Sequence, residues 1–249
     1  MYDAILAETV SITGHHGDAI EAYLARPLSP GPHGGVVVIH HMPGYDSATK
    51  EMVRTFAVNG YNAICPNLYW RIAPGASPDD AAAAARAAGG VSDEQVVGDV
   101  AGAVRHLNSL TSANGKTGVI GHCSGGRHAF LVACGLTIDA AVDCYGAFVV
   151  KAPGPEMPVP PTMKPLMPIA GNLSCPLLGL FGNEDRFPEP DEVTELEREL
   201  SRLGKSTEFH RYDNAGHAFF AVDRPSYRPE AAVDGWRRIL DFYGRHLAA

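Results

Sequence analysis

The segment GHCSGG, residues 121–126, is the part of the chain whose residue types and spacing most directly suggest chemistry. It follows an apolar run, KTGVI, and precedes a helix-like run, AFLVAC. A strand, a tight turn between glycines and a helix form a nucleophile elbow, which usually carries serine in the pattern G-x-S-x-G. The central residue here is Cys123, and Ser124 is out of frame because His122 stands where glycine would be needed. The pattern predicts a cysteine nucleophile, with a buried packing thiol as the alternative.

A carboxylate and a histidine follow two later strand-like segments. Glu184 and Asp185 come after CPLLGLFG, and His217 lies in the loop DNAGHAFF after TEFHRY. The chain order nucleophile, acid, histidine is that of a hydrolase triad. In such a triad the imidazole takes the thiol proton and later returns it, and the carboxylate orients the ring. Cys123 and His217 are therefore candidate catalytic residues, with either Asp185 or Glu184 as the acid.

Two backbone amides are candidates for stabilising the oxyanion of acyl transfer, which needs preorganised donors. The first is the N–H of Ser124, directly after the nucleophile, and the second is that of Met42, after the strand-like run GGVVVIHH. The elbow places Cys123 at a helix N-terminus, whose partial positive charge favours a thiolate.

We expect aromatic side chains to line the pocket, with core packing as the alternative for each: Trp70, Tyr145, Phe219 and Phe220.

Strand-like and helix-like segments alternate along the chain, which predicts an α/β fold with a mostly parallel sheet and helices on both faces. Before them, AETVSIT and AIEAYLARP flank the turn GHHGD and predict an N-terminal antiparallel hairpin. Ligands of open α/β sheets bind at the carboxyl ends of the strands, where the candidate residues fall. The sequence shows no linker or repeat, so we expect a single domain over residues 1–249.

Residues 151–172, KAPGPEMPVPPTMKPLMPIAGN, are rich in proline and too long for an ordinary connection. Loops of this length are often functional lids, so this segment is a candidate lid over the pocket. A rigid surface excursion is the alternative.

Bulk composition excludes several function classes. The chain has 249 residues and a formal net charge of −8, so it lacks the basic face of a nucleic-acid-binding protein. We expect no membrane span and no signal peptide, because no apolar run is long enough and the N-terminus lacks the signal pattern. Five scattered cysteines without a C-x-x-C pair indicate a reducing, cytoplasmic environment. We expect a monomer or a homodimer.

Several motifs resemble the dienelactone hydrolase (carboxymethylenebutenolidase) family: VVVIHHMPG, GYNAICPNLYWRIAPG, NGKTGVIGHCSGG, GNEDRFP and YDNAGHAFF. The resemblance runs from about residue 20 to 246, and the cysteine elbow is its most specific part. It implies an α/β-hydrolase fold and a triad of Cys123, His217 and Asp185, and it favours Asp185 over Glu184. It also implies hydrolysis of a small ester or lactone without a metal or organic cofactor.

The chain departs from the family pattern at two positions. His41 stands at the position where the resemblance implies a glutamate, which helps to activate the cysteine in members that open dienelactones. Ala221 stands where those members carry one of the arginines that bind the substrate carboxylate. His41 could stabilise a thiolate or line the pocket. Candidates to replace the missing arginine are Arg224, Arg86 and Arg71.

Other function classes stay open at this stage. A thiol redox or sensor protein would need a resolving cysteine, for which Cys144 is the candidate. A pseudoenzyme that binds a small ligand without turnover is a third reading. We expect no metal site in the histidine pairs 15–16 and 40–41, because adjacent strand residues point to opposite faces of a sheet.

Overall fold

The computed structural model describes residues 4–42, 44–154 and 163–248. Its strands coincide with the apolar and alternating segments of the sequence. They are β1 (Ile5–Thr13), β2 (Ala19–Pro27), β3 (His33–Ile39), β4 (Asn62–Pro66), β5 (Ala113–His122), β6 (Ala140–Cys144), β7 (Leu177–Gly182) and β8 (Thr207–Tyr212).

All eight strands belong to one sheet with the order β1-β2-β4-β3-β5-β6-β7-β8. The strands β1 and β2 pair antiparallel, with a 3-10 turn at His15–Gly17 between them, which confirms the predicted hairpin. The strands from β4 through β3 and β5 to β8 pair in parallel. The register places the ends of neighbouring strands side by side, with Ile39 beside Gly121 and His122 beside Cys144. The carboxyl ends of β3, β5 and β6 therefore meet at one edge.

Six α-helices connect or follow the parallel strands in the described chain. They are α1 (Ser47–Val58), α2 (Pro78–Ala87), α3 (Asp93–Asn108), α4 (Ser124–Gly135), α5 (Pro190–Arg202) and α6 (Pro229–His246). Side-chain caps fix three of the starts. Asp46 accepts a hydrogen bond from Thr49 N at the start of α1, and Ser77 and Ser92 cap α2 and α3.

Helices cover both faces of the sheet. Alternate residues of β3 belong to different apolar cores, because successive side chains of a strand point to opposite faces. Val37 and Ile39 pack in the core that includes α3 and α4. Val36 and Val38 pack in the core that includes α1 and α6. This arrangement confirms the predicted fold class, and it leaves the carboxyl edge of the strands as the place where a site can form.

The predicted Pro-rich loop, residues 151–172, lies partly outside the described residues, which omit 155–162. In its described part, Met167–Asn172 forms a 3-10 turn. Whether the loop acts as a lid, and whether the chain is a single domain, stay predictions. Across residues 4–42, 44–154 and 163–248, no helix is both long and apolar enough to cross a bilayer.

Candidate active site

Cys123 lies on a sharp turn between β5 and α4. Its backbone has φ 57° and ψ −123°, a left-handed conformation that non-glycine residues seldom adopt. Two hydrogen bonds fix this turn, from Cys123 N to Cys144 O at 3.0 Å and from Gly126 N to Cys123 O at 3.0 Å. A Cβ atom on Gly121 would overlap the backbone of Gly125, so the turn requires the glycine that the elbow pattern predicts. The thiol is partly exposed at the start of the helix.

His217 and Asp185 form a hydrogen-bonded pair. The Nδ1 atom of His217 lies 2.9 Å from Oδ2 and 3.2 Å from Oδ1 of Asp185. The Asp185 side chain is 1% exposed, and its Oδ1 also accepts a hydrogen bond from Phe187 N at 2.8 Å. Glu184, the competing acid in the sequence, is exposed. The structure therefore brings Asp185 rather than Glu184 to the histidine.

The pKa of His217 is raised from its usual value of 6.5 to about 10. Burial acts in the opposite direction and by itself would lower this pKa, but hydrogen bonds to Asp185 and to the Cys123 side chain outweigh it. The imidazolium form of His217 is therefore favoured beside these two groups at neutral pH. Cys123 lines the same two cavities as this histidine.

Two cavities meet at Cys123 and His217. The first, of about 270 Å³, we name the histidine cavity, because His41, His122 and His217 all line it together with Cys123. The second, of about 320 Å³, we name the methionine cavity. It is lined by Cys123 and His217 together with Met42, Ser124, Arg86, Arg127, Ala147, Phe148, Met163 and Phe187. The nucleophile candidate is thus accessible from two sides.

The predicted oxyanion residues, Met42 and Ser124, both line the methionine cavity with Cys123. Ser124 is the first residue of α4, whose free amides point toward the elbow. Met42 follows β3, and its carbonyl oxygen accepts a hydrogen bond from the Tyr69 hydroxyl at 3.2 Å. Both residues therefore lie where an oxyanion hole for Cys123 would have to form.

His41 lines the histidine cavity beside Asp46. The Nε2 atom of His41 lies 3.4 Å from Oδ2 of Asp46, the carboxylate that caps α1. Burial lowers the pKa of His41, and the Asp46 charge opposes that effect only in part. The ring is therefore favoured in its neutral form at pH 7. Sequence reasoning singled out His41 but missed Asp46, although its spacing to Thr49 is that of a helix cap.

Tyr145 supports the histidine. Its backbone has a positive φ of 44°, and its N–H donates to Leu180 O at 2.9 Å. The ring lies edge-on to His217 at 5.2 Å between centroids and lines the histidine cavity, as the sequence predicts. Burial raises the pKa of Tyr145 well above its usual value, so the phenol stays neutral.

Two of the four aromatic candidates lie in the cores, which was the alternative for each, and the candidate Phe220 lines the histidine cavity. Trp70 packs against the core of α3 and α4 and lines neither cavity at Cys123. Phe219 is completely buried in the other core, while the next residue, Phe220, lines the histidine cavity. Trp236 of α6, which sequence reasoning did not consider, lines the same cavity.

The three candidate arginines occupy different positions relative to the two cavities. Arg71 forms ion pairs with Asp18 at 2.7 Å and Asp99 at 2.9 Å, and it lines neither cavity at Cys123. Arg86 lines the methionine cavity. Arg224 lines the histidine cavity together with Ala221.

Asp143, on β6, is a buried carboxyl group that the sequence did not reveal. It is fully buried, and its Oδ1 accepts from Gly146 N at 2.7 Å, whereas Oδ2 has no partner among the described residues. Burial raises its pKa from 3.8 to about 7. This side chain closes the turn that carries Tyr145, directly below the first turn of α4.

All five cysteines are free. Cys144, the candidate resolving cysteine, is fully buried, and burial raises the pKa of its thiol well above 9.0. Within the described ranges, no group of three or more His, Cys, Asp or Glu side chains is arranged to hold a metal ion.

Comparison with known proteins gives the family. The sequence model of the dienelactone hydrolase family matches residues 20–247. A relative from Escherichia coli (strain K12), named "Putative carboxymethylenebutenolidase", is 35% identical over 256 residues, which cover 98% of this chain and 89% of the relative. A "Carboxymethylenebutenolidase" from Pseudomonas putida is 31% identical over 245 residues and 96% of each chain.

Solved structures agree with this assignment. The crystal structure of a "Putative Dienelactone Hydrolase" from Klebsiella pneumoniae subsp. pneumoniae MGH 78578 superimposes with a TM-score of 0.85 at 30% identity. The match covers 98% of this chain and 100% of that chain. With its cysteine elbow and mostly parallel sheet, this protein belongs to the dienelactone hydrolase family and is an ester or lactone hydrolase of the α/β-hydrolase fold.

Proposed function

We propose that the protein hydrolyses a small ester or lactone with Cys123 as nucleophile, His217 as proton carrier and Asp185 as the residue that orients the histidine. The observation that carries the proposal is the pairing of His217 with Asp185 at 2.9 Å beside a cysteine on a strained elbow. Residues held in sparsely populated backbone conformations concentrate at functional sites. The partly exposed Cys123 thiol is also the one that reaches both cavities.

The proposed acylation step follows from these groups. The Cys123 thiolate attacks the carbonyl carbon of the substrate, and the carbonyl oxygen becomes an oxyanion held by the N–H groups of Met42 and Ser124. When the intermediate collapses, the C–O bond breaks and His217 donates its proton to the departing alkoxide. The products are a thioester on Cys123, a free alcohol and a neutral His217.

The size of the site supports a small substrate. The two cavities of about 270 and 320 Å³ are at the lower end of the range for small-molecule sites. The relatives are named for a lactone, which supports a lactone or ester for this chain. Because His41 and Ala221 stand where the resemblance implies a glutamate and an arginine, we do not restrict the proposal to a dienelactone.

We propose the Pro-rich segment as a cover for the methionine cavity, within a single domain. Met163, in the described part of that segment, lines this cavity. Nη2 of Arg127 donates to Lys164 O at 2.9 Å and to Asp93 at 3.1 Å, and Nη1 donates to Asp93 at 2.8 Å, so the described end of the segment is tied to α4.

A thiol redox function receives less support from the same residues. A resolving cysteine must become a thiolate and reach the oxidised partner. Cys144 is sealed in an apolar core, where burial and the adjacent Asp143 both raise the pKa of its thiol.

Steady-state hydrolysis of p-nitrophenyl acetate tests the proposal. We expect turnover by the wild type and its loss in Cys123→Ala, with Cys134→Ala as the matched control because that thiol is buried in α4 and lines neither cavity. Equal rates in wild type and Cys123→Ala would overturn the assignment of the nucleophile.

A further inference from the structure

We propose that His41, positioned by Asp46, is a second base that takes the proton from the water that hydrolyses the acyl-enzyme. This inference rests on the proposed function, because it concerns the second half of that reaction. It gives His41 a catalytic role that is separate from that of His217.

His41 lies beside a carboxylate that is itself fixed in place. One oxygen of Asp46 accepts from Thr49 N at 2.8 Å and so is fixed to the first turn of α1, and the other lies 3.4 Å from Nε2 of His41. The backbone of His41 is also held, because its carbonyl accepts from Gly44 N at 2.8 Å and is 3.0 Å from His40 Nδ1. The Asp46 carboxylate is thus an ion-pair neighbour of Nε2 of His41, which leaves Nδ1 as the nitrogen that could accept a proton.

His41 and His217 differ in the cavities that they line. His217 lines both cavities, whereas His41 lines the histidine cavity and not the methionine cavity. The oxyanion donors Met42 and Ser124 line the methionine cavity and not the histidine cavity. A thioester carbonyl held by those donors would therefore present its carbon to a water that enters through the histidine cavity.

His41 and His217 favour opposite protonation states at neutral pH. Asp46 and Asp223 favour the cation of His41 and Arg224 opposes it, while His40 and His122 are the other titratable groups beside it. Burial outweighs them and lowers the pKa of His41, so the ring is a proton acceptor at neutral pH. His217, whose pKa is raised, is the proton donor of the first step.

The proposed step balances as follows. The water oxygen forms a bond to the thioester carbon, and its proton passes to His41. The C–S bond then breaks, the carboxylic product leaves, and the electron pair returns to Cys123 as thiolate. The proton on His41 is transferred through solvent to His217, which restores the starting pair.

The test uses His41→Gln in pre-steady-state hydrolysis of p-nitrophenyl acetate. Loss of a general base slows the step it serves by about 10²-fold or more, so deacylation becomes limiting in the variant. We expect a stoichiometric burst of p-nitrophenol, an acetyl adduct on Cys123 in the intact mass, and restored turnover with hydroxylamine, which attacks a thioester without that base. A residue with a merely structural role would not produce the burst, the adduct or the rescue.

Two further variants complete the test. Asp46→Asn keeps a good helix cap and removes the charge, so we expect a smaller fall in deacylation and a shifted pH dependence of that step. His106→Gln makes the same exchange on α3, outside both cavities, and should leave the burst unchanged.

Two results with folded His41→Gln would overturn the inference: a fall in rate without the burst or the adduct, or no fall in rate at all. In either case, Cys123-dependent turnover by the wild type would leave the proposed function standing. Absence of Cys123-dependent turnover in the wild type would overturn both.

Discussion

The Nδ1 atom of His217 lies 2.9 Å from Oδ2 of Asp185, so one ring nitrogen is held by a buried carboxylate, and the proposed mechanism uses the other. The carboxylate is itself fixed by the N–H of Phe187. Because the two residues follow β7 and β8, which pair in parallel from Leu177 to Gly182, the sheet sets their separation before any substrate binds.

Asp185→Asn should change both the rate and its pH dependence. The carboxylate contributes the first of the interactions that raise the pKa of His217 to about 10, so without it burial dominates and the pKa falls. The imidazolium form then disappears at lower pH, and the alkaline limb of kcat/KM moves down from about pH 10. We expect kcat to fall by about 10³- to 10⁴-fold, as for other triads whose histidine loses its orienting carboxylate.

The pH profile of kcat/KM, recorded for both proteins on p-nitrophenyl acetate, makes this check. If the Asp185→Asn variant keeps the wild-type rate and the wild-type alkaline limb, the pairing of His217 with Asp185 has no role in the reaction.

Asp143→Asn should alter how stability depends on pH. The folded-state pKa of Asp143, about 7, is raised above its ordinary value of 3.8, so the native state binds the proton more tightly than the unfolded state does. This group's favourable contribution is complete below pH 3.8 and is lost as pH rises through about 7. Between pH 5 and pH 8 the loss amounts to about 2–3 kcal/mol of unfolding free energy.

Asparagine retains an oxygen for the N–H of Gly146 but has no such titration. Urea unfolding of both proteins at pH 5 and pH 8 measures this effect. We expect the free energy of unfolding of the variant, relative to that of the wild type, to be higher at pH 8 than at pH 5. A difference that stays constant over this range would show that Asp143 is ionised in the native state throughout.

Gly121→Ala tests the elbow without touching substrate. A Cβ atom at this position would overlap the carbonyl group of Gly125, and backbone cannot move aside as a side chain can. We expect destabilisation by about 3 kcal/mol and loss of Cys123-dependent hydrolysis, because β5 and α4 must separate.

Gly244→Ala is the matched control, since a Cβ atom there meets no other atom within 4 Å on α6. It should gain about 0.5–1 kcal/mol from helix propensity. Thermal or urea unfolding of both variants measures the contrast. Equal effects of the two substitutions would contradict the close approach at the elbow.

Much of the fold could be predicted from the sequence, because each element carries a local signal. Continuous apolar runs marked β3, β5 and β7, the GHHGD turn marked the hairpin, and Ser92 marked the start of α3. Cys123, Asp185 and His217 were identified as candidates because each lies in the segment that follows a strand, and parallel strands end at one edge of the sheet.

The cavity walls were harder to predict, because they depend on side-chain directions over long sequence separations. Phe219 and Phe220 are adjacent, and only the structure shows that the second lines the histidine cavity. Trp236 reaches that cavity from the C-terminal helix, far from Trp70 in the chain. Asp143 lies within an apolar strand, where no local pattern indicates that its carboxyl group is buried below the elbow.

Identification of the acylated residue tests the central claim most directly. Wild-type enzyme is mixed with p-nitrophenyl acetate, quenched in acid during turnover and digested, and the acetylated peptide is fragmented to separate Cys123 from the adjacent Ser124. We predict an acetyl thioester on Cys123 that forms and decays at rates consistent with turnover. An acetyl ester on Ser124, or turnover with no covalent intermediate on either residue, would contradict the account.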